Sequence, residues 1–358
     1  MKKIYSLACA IFVAALFVLV ACNDAPQNNT TKESKLSVVT TIFPEFSWAK
    51  SILGDQTNSV DLALLIKNGI DLHSFKPTAQ DIAKIASADM VIYVGGESDE
   101  WIEKALEATP KKGRTEINLM KVLGDRVKAE EVVEGMQAEE EHEHHHGEHA
   151  EEHEHEHHDE HAEEHKHHHH DEEVENDEHV WLSLKNAEII VNKIAEELSK
   201  LDAAHATVYK QNADAYIAQI QSLDKEYREA VNGAARKTVL FGDRFPFRYL
   251  VDDYGIKYYA AFVGCSAESE ASFETIAFLA GKMDAESLPV IFTIENSNDK
   301  IAKAVLAASK NSKSAQILSI NSMQSITEAQ IAGGIDYLSL MKSNLDVLKK
   351  ALNYFLSC

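Results

Sequence analysis

Histidine dominates the chemistry available to this 358-residue chain. Fifteen of its eighteen histidines fall between His142 and His170, interleaved with glutamate and aspartate. Neutral imidazole is a common ligand for zinc, copper and nickel, and carboxylates add hard oxygens and negative potential. No apolar residue larger than alanine occurs in this tract, so segment 138–173 is expected to form a disordered loop rather than a core. An expression tag would be terminal and free of interleaved glutamate. A solvated acidic spacer would account for the charge but not for the histidines. Metal capture explains both. Without a fixed geometry its affinity should be modest, because ordering the chain opposes binding. Protonation near the imidazole pKa of about 6.5 should release metal as pH falls.

Three histidines lie outside the tract. His73 sits in the turn-rich run Gly69-Ile70-Asp71-Leu72-His73-Ser74-Phe75-Lys76-Pro77, and His179 in Asp177-Glu178-His179-Val180-Trp181-Leu182-Ser183. His205 lies in polar helical sequence and reads as a surface residue. One loop histidine is ordinarily structural. Two in separate βα connections, in a chain carrying a histidine reservoir, point to a fixed metal site. Asp243 and Glu295 both directly follow strands of the second half, so each should face a cleft and could complete a zinc shell with His73 and His179. The alternatives are an ion pair of Asp243 with Arg244 or Arg248, and an N-cap or hinge contact for Glu295. Cys265, Glu268 and Glu270 form a reserve of further donors.

The elements that must hold these residues alternate between short β-branched runs and amphipathic helices. Strands are predicted at 36–43, 59–66, 90–94 and 116–119, then at 238–241, 257–260, 290–294 and 317–320. Two long helical stretches lie between the groups, Leu184 to Leu201 and His205 to Val231, with Ser183 expected as the N-cap of the first. Repeated βα units imply parallel sheets covered by helices. The fold class is therefore α/β, with two lobes of mainly parallel sheet joined by a long rigid helix. The boundaries read as 36–204 for the first lobe, 205–233 for the linker helix and 234–358 for the second lobe. Open parallel sheets bind ligands beyond the carboxyl ends of their strands, which places the site in the cleft between lobes.

Lys2 and Lys3 precede an apolar run from Ile4 to Ala21 that closes on Leu19-Val20-Ala21-Cys22. This reads as a processed export signal (1–21), with Cys22 as the lipid attachment point and a polar tether to residue 35. Such a protein would be extracytoplasmic and membrane-anchored. Cys265 and Cys358 could then pair in an oxidising compartment. The formal net charge is −23, but fifteen of those charges fall between Ala138 and Glu173, and the remaining eight are ordinary for a soluble protein. No basic stripe with interleaved aromatics occurs, which argues against nucleic acid. No HExxH, GxSxG or Walker-type sequence occurs either, so an enzyme is not expected; a zinc hydrolase is the rival from that class.

The motifs Leu72-His73-Ser74-Phe75-Lys76-Pro77-Thr78 and His179-Val180-Trp181-Leu182-Ser183-Leu184-Lys185, together with the lipobox and the acidic histidine loop, resemble the zinc-binding lipoproteins of ABC importers, the ZnuA-like group. The resemblance implies two α/β lobes bridged by one long helix, with metal between them and bound by His73 and His179. It also implies zinc as transported ligand, an ABC permease and the lipid bilayer as partners, and a monomer. The second lobe departs from the family pattern. Gly242 occupies the place of a third histidine, and Asn321-Ser322-Met323 stands where a later aspartate is usual. A shell of two histidines and two carboxylates would be harder than one of three histidines, which keeps manganese open beside zinc. A surface metal buffer or adhesin is the remaining alternative.

Overall fold

A computed structural model describes residues 35–137, 175–266, 270–310 and 313–353. Its first sheet contains β1 (Leu36–Thr40), β2 (Val60–Leu64), β3 (Met90–Tyr93) and β4 (Thr115–Asn118). They are all parallel, in the order β2-β1-β3-β4. The second contains β5 (Thr238–Phe245), β6 (Lys257–Val263), β7 (Val290–Ile294) and β8 (Gln316–Ile320), parallel in the order β6-β5-β7-β8. Every residue of β3 and β7 is buried, as expected where helices cover both faces of a parallel sheet.

Helices follow from local signals in the chain. Pro44 lies in the first turn of α1 (Phe43–Leu53), where a missing N–H costs nothing, and Glu45 at its third position accepts the Thr41 and Ile42 N–H groups. Thr78 and Asp81 form a capping box at the start of α2 (Ala79–Ser87). α3 (Glu100–Ala108) completes the crossovers of this sheet, and the short α4 (Leu119–Leu123) follows its last strand in the chain. Ser183 caps α5 (Leu184–Leu201) by accepting the Asn186 N–H, as the sequence reading expected.

α6 (Ala206–Asn232) has 27 residues and so spans about 40 Å. Near its start Asn212 donates to the Ile52 carbonyl of α1. Near its end the Tyr227 hydroxyl donates to the Met341 carbonyl of α11 (Tyr337–Asn353). The helix therefore holds both lobes, and its buried stripe of Tyr209, Tyr216, Ile220, Leu223 and Tyr227 joins a core that runs through both. Trp181 and Tyr337 reinforce this junction. The Trp181 indole donates to Ser322 O at 2.8 Å, and Tyr337 Oη donates to Trp181 O at 2.8 Å.

The second lobe adds α7 (Arg248–Tyr254), α8 (Phe273–Ala285), α9 (Lys300–Ala308) and the short α10 (Glu328–Ala332). The structure departs from the sequence reading at β5. That strand continues past Phe241 to Phe245, with a shift of register between Phe241 and Arg244. Gly242 sits at the shift. A Cβ there would lie 2.6 Å from Ala302 Cα in α9, so any side chain would have to push the helix away.

Candidate metal centre

The site is assembled from loops at the carboxyl ends of strands, beginning with the one that follows β2. Asp71 starts a single helical turn over Leu72–Ser74, accepting the His73 N–H at 3.0 Å. The Asp71 carboxylate also pairs with Arg244 of the other lobe. On the imidazole, Nδ1 meets Ser98 Oγ at 2.6 Å, in the loop that follows β3. This leaves Nε2 as the free edge of the ring.

His179 lies just before α5 and is fully buried. Asp177 Oδ1 accepts both its backbone N–H at 2.8 Å and its Nδ1–H at 2.9 Å. The carboxylate thus fixes the tautomer and turns Nε2 inward, the arrangement by which a ligating histidine is usually oriented. The two Nε2 atoms stand 3.3 Å apart. Two nitrogens bound to one tetrahedral zinc at about 2.0–2.1 Å are separated by about 3.3–3.4 Å. Burial first, and then the neighbouring His179, holds His73 down to about 3, so its lone pair is unprotonated at neutral pH.

A third donor comes from the second lobe. Cys265 follows β6, and its sulfur and the two imidazole nitrogens all lie within 4.8 Å of one another. Gly264 makes the approach possible: a Cβ there would sit 2.9 Å from His179 Cε1 and 3.0 Å from Phe245 O. Burial pushes the Cys265 thiol well up, and the nearby Glu130 carboxyl raises it further. A cation is therefore needed to draw off its proton. Glu130 accepts the Cys265 N–H at 3.3 Å, and its own pKa is raised, chiefly by burial. With His73, Ser98, Glu178 and Cys265 it lines a cavity of about 460 Å³ that gives access to the cluster.

The structure puts the two carboxylates singled out from the sequence to other uses. Glu295 is committed to the turn after β8, accepting Ser322 N–H at 2.6 Å, Ser322 Oγ–H at 2.8 Å and Gln324 N–H at 3.1 Å. Asp243 is carried away by the shift in β5 and lines a separate cavity of about 330 Å³ with Asp71 and Arg244. Its Oδ1 accepts the Arg244 N–H at 2.9 Å. Neither joins the three-donor cluster found among the described residues. Of the reserve donors, Glu270 is exposed and paired with Lys300, Glu268 lies outside the described residues, and Cys265 is the one brought to the site. Its thiol is free; Cys358, Cys22 and the histidine tract lie outside the described residues. His205 is half-exposed and bonds Asp202 at 2.7 Å.

Two imidazoles aimed at one point and a thiol from the facing lobe form a donor set suited to a soft or borderline divalent ion. The chain also has relatives. The family model described as zinc-uptake complex component A, periplasmic (ZnuA) matches residues 38–351. The "Zinc-binding lipoprotein AdcA" of Streptococcus pneumoniae is 32% identical over 352 residues, which cover 98% of this chain and 61% of that protein. The chain thus spans less than two thirds of that relative's length. The "High-affinity zinc uptake system protein ZnuA" of Bacillus subtilis is 31% identical over 343 residues, covering 95% of this chain and 96% of the relative. The crystal structure of the Zn(II)-bound ZnuA-like domain of Streptococcus pneumoniae AdcA superposes with a TM-score of 0.64 at 27% identity, over 89% of this chain and 99% of that one. Matched by the family model over residues 38–351 and 31% identical to a relative along 96% of that protein's length, the chain belongs to the ZnuA family.

Proposed function

We propose that this protein captures zinc between its lobes and delivers it to a membrane importer of the ABC type. The observation that carries the reading is the pair of Nε2 atoms 3.3 Å apart, each on a ring whose other nitrogen is already engaged. His73 and His179 supply two neutral nitrogens from the first lobe, and Cys265 supplies sulfur from the second. Zinc drives the thiol proton off and ties the lobes together through its own bonds. Release then follows when lobes or loops separate at the permease. The activity is binding, not catalysis.

Sulfur in the shell favours zinc over manganese, because manganese prefers hard oxygen donors. The relatives' printed names, which speak of zinc binding and zinc uptake, support the same choice. No helix among the described residues is long and apolar enough to cross a membrane. The Leu19-Val20-Ala21-Cys22 box supports retention at the membrane by lipid on Cys22, with the protein working as a monomer outside the cytoplasm.

The test is chelator competition. The wild-type chain should hold one zinc tightly, and His73→Ala or His179→Ala should each lose that site, with affinity falling at least about 100-fold. Tight zinc binding that survives both substitutions would contradict the proposal.

A further inference from the structure

Gln324 lies in the turn after β8 and is buried. Its backbone is fixed from two sides. Glu295 accepts its N–H at 3.1 Å, and Asn321 Oδ1 accepts the adjoining Met323 N–H at 2.8 Å, with Met323 in the left-handed region at φ 65°. The amide orientation follows from its neighbours. A carboxylate oxygen accepts but cannot donate, so the nitrogen must face Asp71, donating to Oδ2 at 2.8 Å and Oδ1 at 3.3 Å. The carbonyl oxygen then points the other way, to 2.5 Å from His179 Nε2. This places a neutral oxygen donor, held by both lobes, against one of the two nitrogens that converge on the ion.

We infer that Gln324 Oε1 is the fourth donor of the metal centre, completing a shell of two nitrogens, one sulfur and one oxygen with two donors from each lobe. This rests on the capture site proposed above and adds the identity of its last ligand. Oε1 and Nε2 thus bring two lone pairs to 2.5 Å with no proton between them, and a shared zinc would relieve that contact by spreading them to about 3.3 Å, the separation of two ligands on a tetrahedral ion. Asp71 sets this geometry from both ends: it caps the turn that carries His73 and holds the Gln324 nitrogen. Glu295 is then a positioning residue, fixing the turn from which the amide reaches. The choice of amide has a chemical consequence. With one thiolate and three neutral donors, zinc keeps a net positive charge, so the ion is held less firmly than a carboxylate in place of the amide would hold it.

The test uses the full chain loaded with one equivalent of zinc or cobalt(II). Chelator competition and the visible cobalt spectrum are read for wild type, Gln324→Ala and the near-isosteric Gln324→Glu. Loss of the amide should weaken zinc affinity at least about 10-fold and change the cobalt ligand-field bands. Gln324→Glu, which sets a carboxylate oxygen against Asp71 in place of the amide N–H, should likewise move affinity and the cobalt bands away from wild type. If both variants match wild type in affinity and spectrum, Gln324 is not a ligand. The same conclusion follows if Glu130→Ala changes the cobalt bands while Gln324→Ala leaves them alone. A wild-type chain that holds no tight zinc would instead overturn the capture reading itself.

Discussion

Ser98 and Asp177 do the same work for different rings: each engages an Nδ1 so that the opposite nitrogen faces the other ring. Behind Ser98 lies a second pair of acids. Glu45 and Asp99 are both fully buried, and each has one oxygen bonded to backbone N–H groups and one without a partner. Burial lifts Asp99 to about 7, with Glu178 adding to the effect, and lifts Glu45 well above the carboxylate range, with Asp99 adding. A raised acid favours the protonated folded state. Its contribution to stability is full below the unfolded pKa of about 3.9 and is lost as pH climbs to about 7. At about 1.4 kcal/mol per pKa unit, the loss is on the order of a few kcal/mol. Urea denaturation at about pH 5 and pH 8 should therefore show a weaker protein at the higher pH, and Asp99→Asn should flatten that difference. An unchanged slope in the variant would remove Asp99 as its source.

At the scale of elements, most of the fold was legible. Apolar runs separated by amphipathic stretches mark parallel βα units, and Ser183 marks a helix start by a purely local interaction. His73 and His179 stood out because they lie in separate βα connections of a chain carrying a histidine reservoir, and the structure brings their Nε2 atoms to 3.3 Å. The second lobe was harder to read because its donors depend on packing. Residues 242–245 continue β5 through a shift that no local signal announces, which turns Asp243 away. Glu295 lies in the loop expected of a ligand but is used to build the next turn. Cys265, directly beyond the carboxyl end of β6, had a signal in its position; Gln324 and Glu130 had none, one being neutral and the other adjoining an acidic tract. Gly242 offers a clean check of the packing argument. Gly242→Ala should force α9 away from β5 and lower stability by about 1–3 kcal/mol in denaturant titrations. Zinc stoichiometry should be unchanged. A neutral effect on stability would show that α9 yields at no cost.

The two lobes are cross-braced beside the candidate metal centre. Residues 128–137 leave the first lobe and lie along the second. Lys128 N–H donates to Tyr249 Oη at 3.0 Å, Glu131 pairs with Arg248, and Gln137 N–H donates to Ala261 O at 2.9 Å. On the return side, Asp177 N–H donates to Lys128 O and Tyr249 Oη donates to Asp177 O, each at 2.8 Å. Glu130 and Glu175, near either end of the histidine tract, both line the cavity that opens on His73. Replacing residues 139–173 with a short Gly/Ser linker should lower the number of zinc ions bound per chain, counted by equilibrium dialysis. The tight site should keep its affinity; its loss along with the tract would contradict separate roles for the two. The central claim is that one ion is shared between imidazoles of the first lobe and sulfur of the second. Zinc-edge X-ray absorption on protein carrying one equivalent of zinc tests it most directly. The expected result is one sulfur at about 2.3 Å with imidazole nitrogens at about 2.0–2.1 Å, the sulfur vanishing in Cys265→Ser. A wild-type shell of nitrogen and oxygen alone would contradict it.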